Sequence, residues 1–268
     1  MLSERLYAEF DDRGVIYLRG AFGEDDAARM RRRVWARLAK LGVLEHEEAT
    51  WATPVTGLSK AVKRDAVFAS VGSPAVLGAI DSLLGPDQWD RPSNWGTVMV
   101  TFPDRQRPWT LPSQGWHPDY GYLHEPEPLF GVKVFAFFGD VPPQSGGTLV
   151  VEGSHRILAR FVQSLPSEVR RDGTRCFARF LKHDDWFRSL SRGDDDPDRA
   201  ARFMGREYQA GGTGVRVTEL TGRPGDVALT HPWVLHCPSP NAGTYPRMML
   251  TKNLYRRGVI LRDQSAAP

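Results

Sequence analysis

Two stretches of this 268-residue chain carry side chains suited to holding a metal ion: His117 and Asp119, separated by Pro118, and His236 far downstream. Two imidazoles and one carboxylate form the ligand set that grips a mononuclear non-haem Fe(II) on one face and leaves the opposite positions open for co-substrate and O₂. In an extended strand residues i and i+2 point to one side, so His117 and Asp119 can reach a single ion. Pro118 faces away and restricts His117 to an extended conformation. The alternative for this pair is two core side chains that hydrogen-bond each other. His183 and Asp185 repeat the spacing, but in a charged stretch without a β-pattern, so a solvated surface is expected there.

A second imidazole must come from residues 225–241, which hold both His231 and His236. On a continuous strand these two face opposite ways, so only one can serve. His236 follows the apolar Trp233-Val234-Leu235 and precedes a Pro/Asn turn; it is favoured, and His231 is left as a packed or supporting histidine. Cys237 then points away from the metal as a small buried hydrophobe. Arg247 opens the run Met248-Met249-Leu250-Thr251, and a guanidinium buried there needs an anionic partner. A carboxylate taken by both arms of the fork fits, at roughly 1.5–3 kcal/mol per charge-assisted hydrogen bond. An internal Asp or Glu is the other candidate.

These residues depend on elements that the sequence marks out. Residues 4–12 read as a short helix and Val15–Leu18 as a strand after an Asp-Arg-Gly turn. A helix follows from about Glu24 to near Gly42, with Ala27, Met30, Val34, Leu38 and Leu41 on one face and Arg31-Arg32-Arg33 mainly on the solvated other. A helical block over 58–84 breaks at Gly72-Ser73-Pro74, where Ser73 is a good N-cap, and Gly85-Pro86 closes it. After Trp89 the texture turns to short β-rich runs at 97–102, 116–122, 132–138, 148–151, 215–220, 227–230 and 248–255, set between Gly and Pro. Such a succession argues for an antiparallel sandwich or barrel with helices outside it. The charged insertion at about 156–212, which includes Asp194-Asp195-Asp196, reads as a functional lid or partly mobile excursion.

Lys+Arg 35 against Asp+Glu 32, a net charge of +3, is too nearly balanced and too interspersed to indicate a nucleic-acid partner. No run approaches the roughly 18 apolar residues of a membrane span. Two cysteines are too few for a disulfide framework, and the start of the chain lacks an apolar signal region. A reduced, cytoplasmic protein of one domain is expected, helical over about 1–88 and β-rich over about 89–262.

Taken in order, Trp116-His117-Pro118-Asp119, the strand and turn 132–140 leading into Gly146-Gly147-Thr148 and Gly153-Ser154-His155-Arg156, then Gly225-Asp226, His236, Asn241 and Arg247 resemble the phytanoyl-CoA dioxygenase family of Fe(II)/2-oxoglutarate oxygenases. The resemblance covers nearly the whole chain. It implies a mainly β fold with flanking helices around a double-stranded β-helix, or jelly-roll, core. It also implies Fe(II) held by His117, Asp119 and His236, the distal carboxylate of 2-oxoglutarate on Arg247, and co-substrate contacts from Thr101 and Phe135. O₂ would be consumed and succinate and CO₂ released. Related halogenases lack the carboxylate ligand, so Asp119 points to hydroxylation or another oxidative outcome. His155, in the Gly-Ser-His-Arg turn, is expected to be structural.

For a small-molecule substrate, Trp116, Tyr120 and Tyr122 crowd around the first ligand pair with Trp109, while Trp186 and Phe187 lie in the insertion. An aromatic lining would suit an apolar or ring-bearing molecule. His124 and Lys133 are candidates to orient its polar groups. A jelly-roll metal enzyme working without 2-oxoglutarate, such as a cupin-type isomerase or dioxygenase, and a non-catalytic binding jelly roll are the alternatives. Neither the substrate nor the oligomeric state can be read from these residues.

Overall fold

The computed structural model describes residues 1–52, 55, 57–106, 108–119, 127–193, 196 and 198–259. Helix α1 (Glu4–Arg13) starts where Ser3 Oγ accepts a hydrogen bond from the Leu6 amide and stops at Gly14, whose φ of 73° is left-handed. Strand β1 (Val15–Leu18) follows, then α2 (Glu24–Ala39) with three acidic residues in its first turn. Ala27, Met30, Val34 and Leu38 recur every three or four residues and are fully buried. The arginines beside them are only partly solvated: Arg31 donates to the Phe138 carbonyl and Arg33 pairs with Asp65. After α3 (Leu58–Val62) and a 3₁₀ turn, Ser73 caps α4 (Pro74–Leu84) and Pro74 takes its first position.

The β-rich half contributes β2 (Thr97–Thr101), β3 (Gly131–Phe137) and β4 (Leu149–Glu152) before the insertion. After it come β6 (Thr213–Glu219), β7 (Val227–Thr230), β8 (His236–Cys237) and β9 (Arg247–Tyr255), with β5 (Tyr208–Ala210) at the insertion's end. They form two antiparallel sheets, ordered β1-β7-β3-β9-β2 and β5-β6-β4-β8. The two-residue period of a strand sorts the side chains. Val132, Val134 and Ala136 of β3, with Leu229 of β7 and Leu250 of β9, face outward onto α2 and α4. Phe135, Phe137, Ala228 and Met249 face inward and meet Val150 of the opposing sheet. The result is a mainly β jelly roll with helices on both flanks. Phe137 is fully buried between the sheets, where a ring supports on the order of 3–5 kcal/mol of stability.

The insertion is built rather than loose. It folds into α5 (Ser154–Gln163), α6 (Ser167–Arg171), α7 (Gly173–His183), α8 (Asp185–Leu190) and α9 (Arg199–Met204). Leu158, Phe161, Phe180, Phe187 and Phe203 form a core against the outer face of the second sheet, on Leu149, Val151, Val215 and Val217. A charged composition suggested an excursion because the polar faces of these helices outnumber their narrow apolar stripes. Asp194 and Asp195 lie outside the described residues. The run at 116–122 also differs: among its described residues only His117 pairs, through an isolated bridge. Pro118 has no amide hydrogen with which to continue a ladder. Among the described residues no single helix is long and apolar enough to cross a membrane.

At the start of α5, Gly153 holds φ 76°, and a Cβ there would stand 2.3 Å from the Gly214 carbonyl oxygen. His155 then packs against His231 with centroids 4.8 Å apart, and its Nε2 donates to the Asp11 carbonyl at 3.0 Å. Burial pushes His155 down to about 4 and His231 well below its ordinary value. Unfolded, both would take up protons near pH 6.5. The unfolded chain therefore binds more protons between about pH 6.5 and 4, and stability is lost as pH falls through that window. Urea midpoints should drop from pH 7 to pH 4.5, with a shallower drop in His155→Gln; an unchanged slope would contradict the assignment.

Candidate metal centre

Two distant segments are joined by one pair of backbone hydrogen bonds. The His117 amide donates to the His236 carbonyl and the His236 amide donates to the His117 carbonyl, each at 3.0 Å. His236 is in turn paired with Val150 of β4, so its position is set by the second sheet. The Asp119 amide donates to the Pro232 carbonyl at 3.2 Å and fixes the third residue. As a result His117, Asp119 and His236 each present one donor atom, all within 4.8 Å of one another. The two imidazole centroids are 4.4 Å apart.

Each imidazole is also turned the right way. Nδ1 of His117 lies 2.7 Å from the Gly115 carbonyl oxygen, and Nδ1 of His236 lies 3.1 Å from that of Val234. A carbonyl can only accept, so both Nδ1 atoms carry hydrogen and both Nε2 atoms keep a lone pair for a cation. His231 differs because no continuous strand links it to His236. Its Nδ1 accepts from the Trp233 amide at 3.0 Å, and its ring is buried against His155, away from the cluster.

Electrostatics at the cluster are dominated by a residue expected to touch substrate. Lys133, on the inner face of β3, places Nζ 2.5 Å from Asp119 Oδ2 and 3.0 Å from His236 Nε2. Burial pushes the Asp119 carboxyl up, but the nearness of His236 and of the Lys133 ammonium outweighs it and holds it at about 2. Burial lowers Lys133, partly offset by Asp119, and lowers His236 despite the same carboxylate.

Arg247 lies between the sheets at the start of β9, 3 % exposed. Nη2 donates to Thr101 Oγ1, its register partner on β2, while Nε and Nη1 are buried with no hydrogen-bond partner among the described residues. Burial lowers the guanidinium to about 10, opposed by attraction to Glu219. Glu219 acts on it through charge without hydrogen-bonding Nε or Nη1, and its two oxygens accept from the amides of Gln144 and Gly147 at 2.6 and 2.9 Å. Two orphaned N–H groups on a buried cation fit an incoming carboxylate. Asn241 holds this end in shape by donating to the carbonyls of Thr101 and Tyr245 at 2.8 and 2.9 Å.

Two supports stand behind the cluster: Ser154, in the Gly153-Ser154-His155-Arg156 turn, and Arg199, which belongs to no motif. Ser154 Oγ donates to the Val151 carbonyl at 2.7 Å and accepts from the Leu235 amide at 2.9 Å, next to His236. Arg199 of α9 donates to the carbonyls of Leu111, Ser189, Leu190 and Pro112. Pro112 in turn accepts from Trp116 Nε1 at 3.0 Å. A buried arginine in a charged insertion was the signal, but only the fold shows what it binds.

Phe135 faces His236 with centroids 6.4 Å apart. Trp116 does not line the cluster: one residue before His117, it turns to the opposite side and is buried with Leu149 and Cys237. Trp186 and Phe187 belong to that same outer core, and Trp109 is tied to Ser239. The aromatic lining expected from these four is therefore absent. Tyr120, Tyr122 and His124 lie outside the described residues. His183 and Asp185 are exposed.

A sequence model of the family described as phytanoyl-CoA dioxygenase (PhyH) matches residues 10–249. No curated protein matches the chain. Among solved structures, AviO1 from Streptomyces viridochromogenes Tue57 is 17% identical, with TM-score 0.55 and 96% of each chain covered. HygX from Streptomyces hygroscopicus, with nickel and 2-oxoglutarate bound, is 14% identical at TM-score 0.54, covering 97% of this chain and 90% of its own. EvdO2 from Micromonospora carbonacea var. aurantiaca, complexed with 2-oxoglutarate, is 17% identical at TM-score 0.51, covering 98% and 94%. At such identities the likeness is one of fold.

Cys237 sits beside His236 but turns away from it, its thiol pushed up to about 11 by burial, and buried Cys176 is likewise raised to about 11. Neither should be a thiolate near neutrality. An aromatic disulfide reagent at pH 8 should label neither cysteine in the native chain and both after denaturation; fast native labelling would contradict this packing.

Proposed function

The chain belongs to the phytanoyl-CoA dioxygenase family, and from that premise we propose that it is a non-haem Fe(II)/2-oxoglutarate-dependent oxygenase. In this reading it oxidises, most simply hydroxylates, a C–H bond of a small molecule. The observation that carries the reading is the joint presence, between the two sheets, of a three-donor cluster and a buried arginine with two orphaned N–H groups. His117, Asp119 and His236 hold the metal through Nε2, a carboxylate oxygen and Nε2. When bound, iron and 2-oxoglutarate supply the O₂ activation, with succinate and CO₂ as co-products.

The protein's own share is positioning and exclusion. The carbonyls of Gly115 and Val234 hold the imidazoles in the tautomer that coordinates. Arg247, steadied by Thr101, seats the distal carboxylate of 2-oxoglutarate. Phe135, Phe137, Met99 and Met249 keep the inner face apolar, which supports an apolar or ring-bearing substrate and shields a reactive oxidant from water. A cytoplasmic location belongs to the same reading, in keeping with two free buried thiols.

Anaerobic addition of Fe(II) and 2-oxoglutarate should produce a weak visible charge-transfer band, and admission of air should release succinate. A colourless mixture would sink the reading. Arg247→Ala should raise the 2-oxoglutarate requirement on the order of 100-fold, the loss of two charge-assisted hydrogen bonds, with metal binding nearly intact. Equal loss of both would remove Arg247 from this role. Asp119→Ala should abolish substrate oxidation, measured as product by mass spectrometry; ordinary turnover would take the carboxylate off the ligand list.

A further inference from the structure

Lys133 reaches His236 Nε2, which a metal ion must use, and the carboxylate that supplies another of its ligands. Its ammonium is within hydrogen-bond distance of both Asp119 Oδ2, at 2.5 Å, and His236 Nε2, at 3.0 Å. Those two residues face each other across 3.5 Å, from His236 Nε2 to Asp119 Oδ1. An ion coordinated by them would have to take the place of the ammonium at His236, because the one Nε2 lone pair cannot serve two cations. The side chains of Lys133 and Asp119 are only 9% and 12% exposed, so water does little to screen the conflict.

The backbone of Lys133 cannot retreat. It is central in β3, with β7 on one side through Thr230 and β9 on the other through Asn253. Only the side chain can swing, and its nitrogen already stands 5.2 Å from the centroid of Phe135, a ring able to receive a displaced cation. Charge decides what should follow. Asp119 and Lys133 cancel; a divalent metal adds two positive charges to a buried pair; a dianion such as 2-oxoglutarate removes them.

We propose that Lys133 is an internal competitor of the metal ion that is handed over, when displaced, to the oxo-acid end of 2-oxoglutarate. The lysine thereby couples co-substrate binding to metal binding: each strengthens the other by more than direct chelation supplies. This rests on the oxygenase reading above and assigns to Lys133 a positioning role in it.

Ni(II) titrated by calorimetry at one fixed pH into the metal-free full chain, with and without 2-oxoglutarate, tests the idea in the wild type, Lys133→Met and Lys133→Gln. Circular-dichroism melts establish which variants are folded. Lys133→Met keeps length without charge, and Lys133→Gln keeps a donor without charge. Either variant should bind Ni(II) alone roughly tenfold or more tightly than the wild type, the scale of a charge-assisted contact removed. The factor by which 2-oxoglutarate raises Ni(II) affinity should shrink about tenfold. An unchanged or weaker Ni(II) affinity in a folded variant, or an undiminished 2-oxoglutarate factor, overturns the proposal while leaving the oxygenase reading in place. A wild type that binds no Ni(II) in either condition overturns both.

Discussion

Two reciprocal hydrogen bonds between the backbones of His117 and His236 bear most of the structural burden of this site. Without them the first ligand pair would hang from a proline-containing segment with no ladder of its own. With them the imidazoles are set beside each other, tilted by 51°, by the spacing of neighbouring strands, a distance fixed by peptide geometry. The other supports converge on this bridge: β4 through Val150, Ser154 through the Leu235 amide, and Pro232 through the Asp119 amide.

The chamber is polar at the metal end and at the arginine end, with apolar rings between. That arrangement follows from the pleat of β3 and β9, which turns Lys133, Phe135 and Phe137 inward on one strand and Arg247 and Met249 on the other. Buried charges are tolerated because each is answered: Asp119 by Lys133, Arg247 by Thr101 and the field of Glu219. What is left unanswered is two N–H groups of Arg247, the pair to which the proposed function assigns a carboxylate.

Much of this was legible beforehand, for identifiable reasons. The cap at Ser73, the Asp-Arg-Gly turn before β1, the helical spacing of Ala27 to Leu38 and the strand runs other than 116–122 are local signals, and they lie where spacing and capping put them. Arg247 was legible because a charge inside an apolar strand has few resting places. The insertion was misread because charge dominates its composition while its core lies in a thin stripe, Phe161, Phe180 and Phe187. Trp116 was misread because proximity in sequence was allowed to outweigh the alternation that sends neighbours to opposite faces. Lys133 was singled out for substrate, and no local pattern could show that its nitrogen meets Asp119, since that contact joins β3 to a segment before it in the chain.

Arg199 anchors the helical insertion through four main-chain oxygens, at Leu111, Pro112, Ser189 and Leu190. Main-chain oxygens are present whatever side chain a position bears. The brace behind the first histidine therefore depends on the path of the main chain at these positions and on one guanidinium, while the side chains of Leu111 and Leu190 serve the buried core.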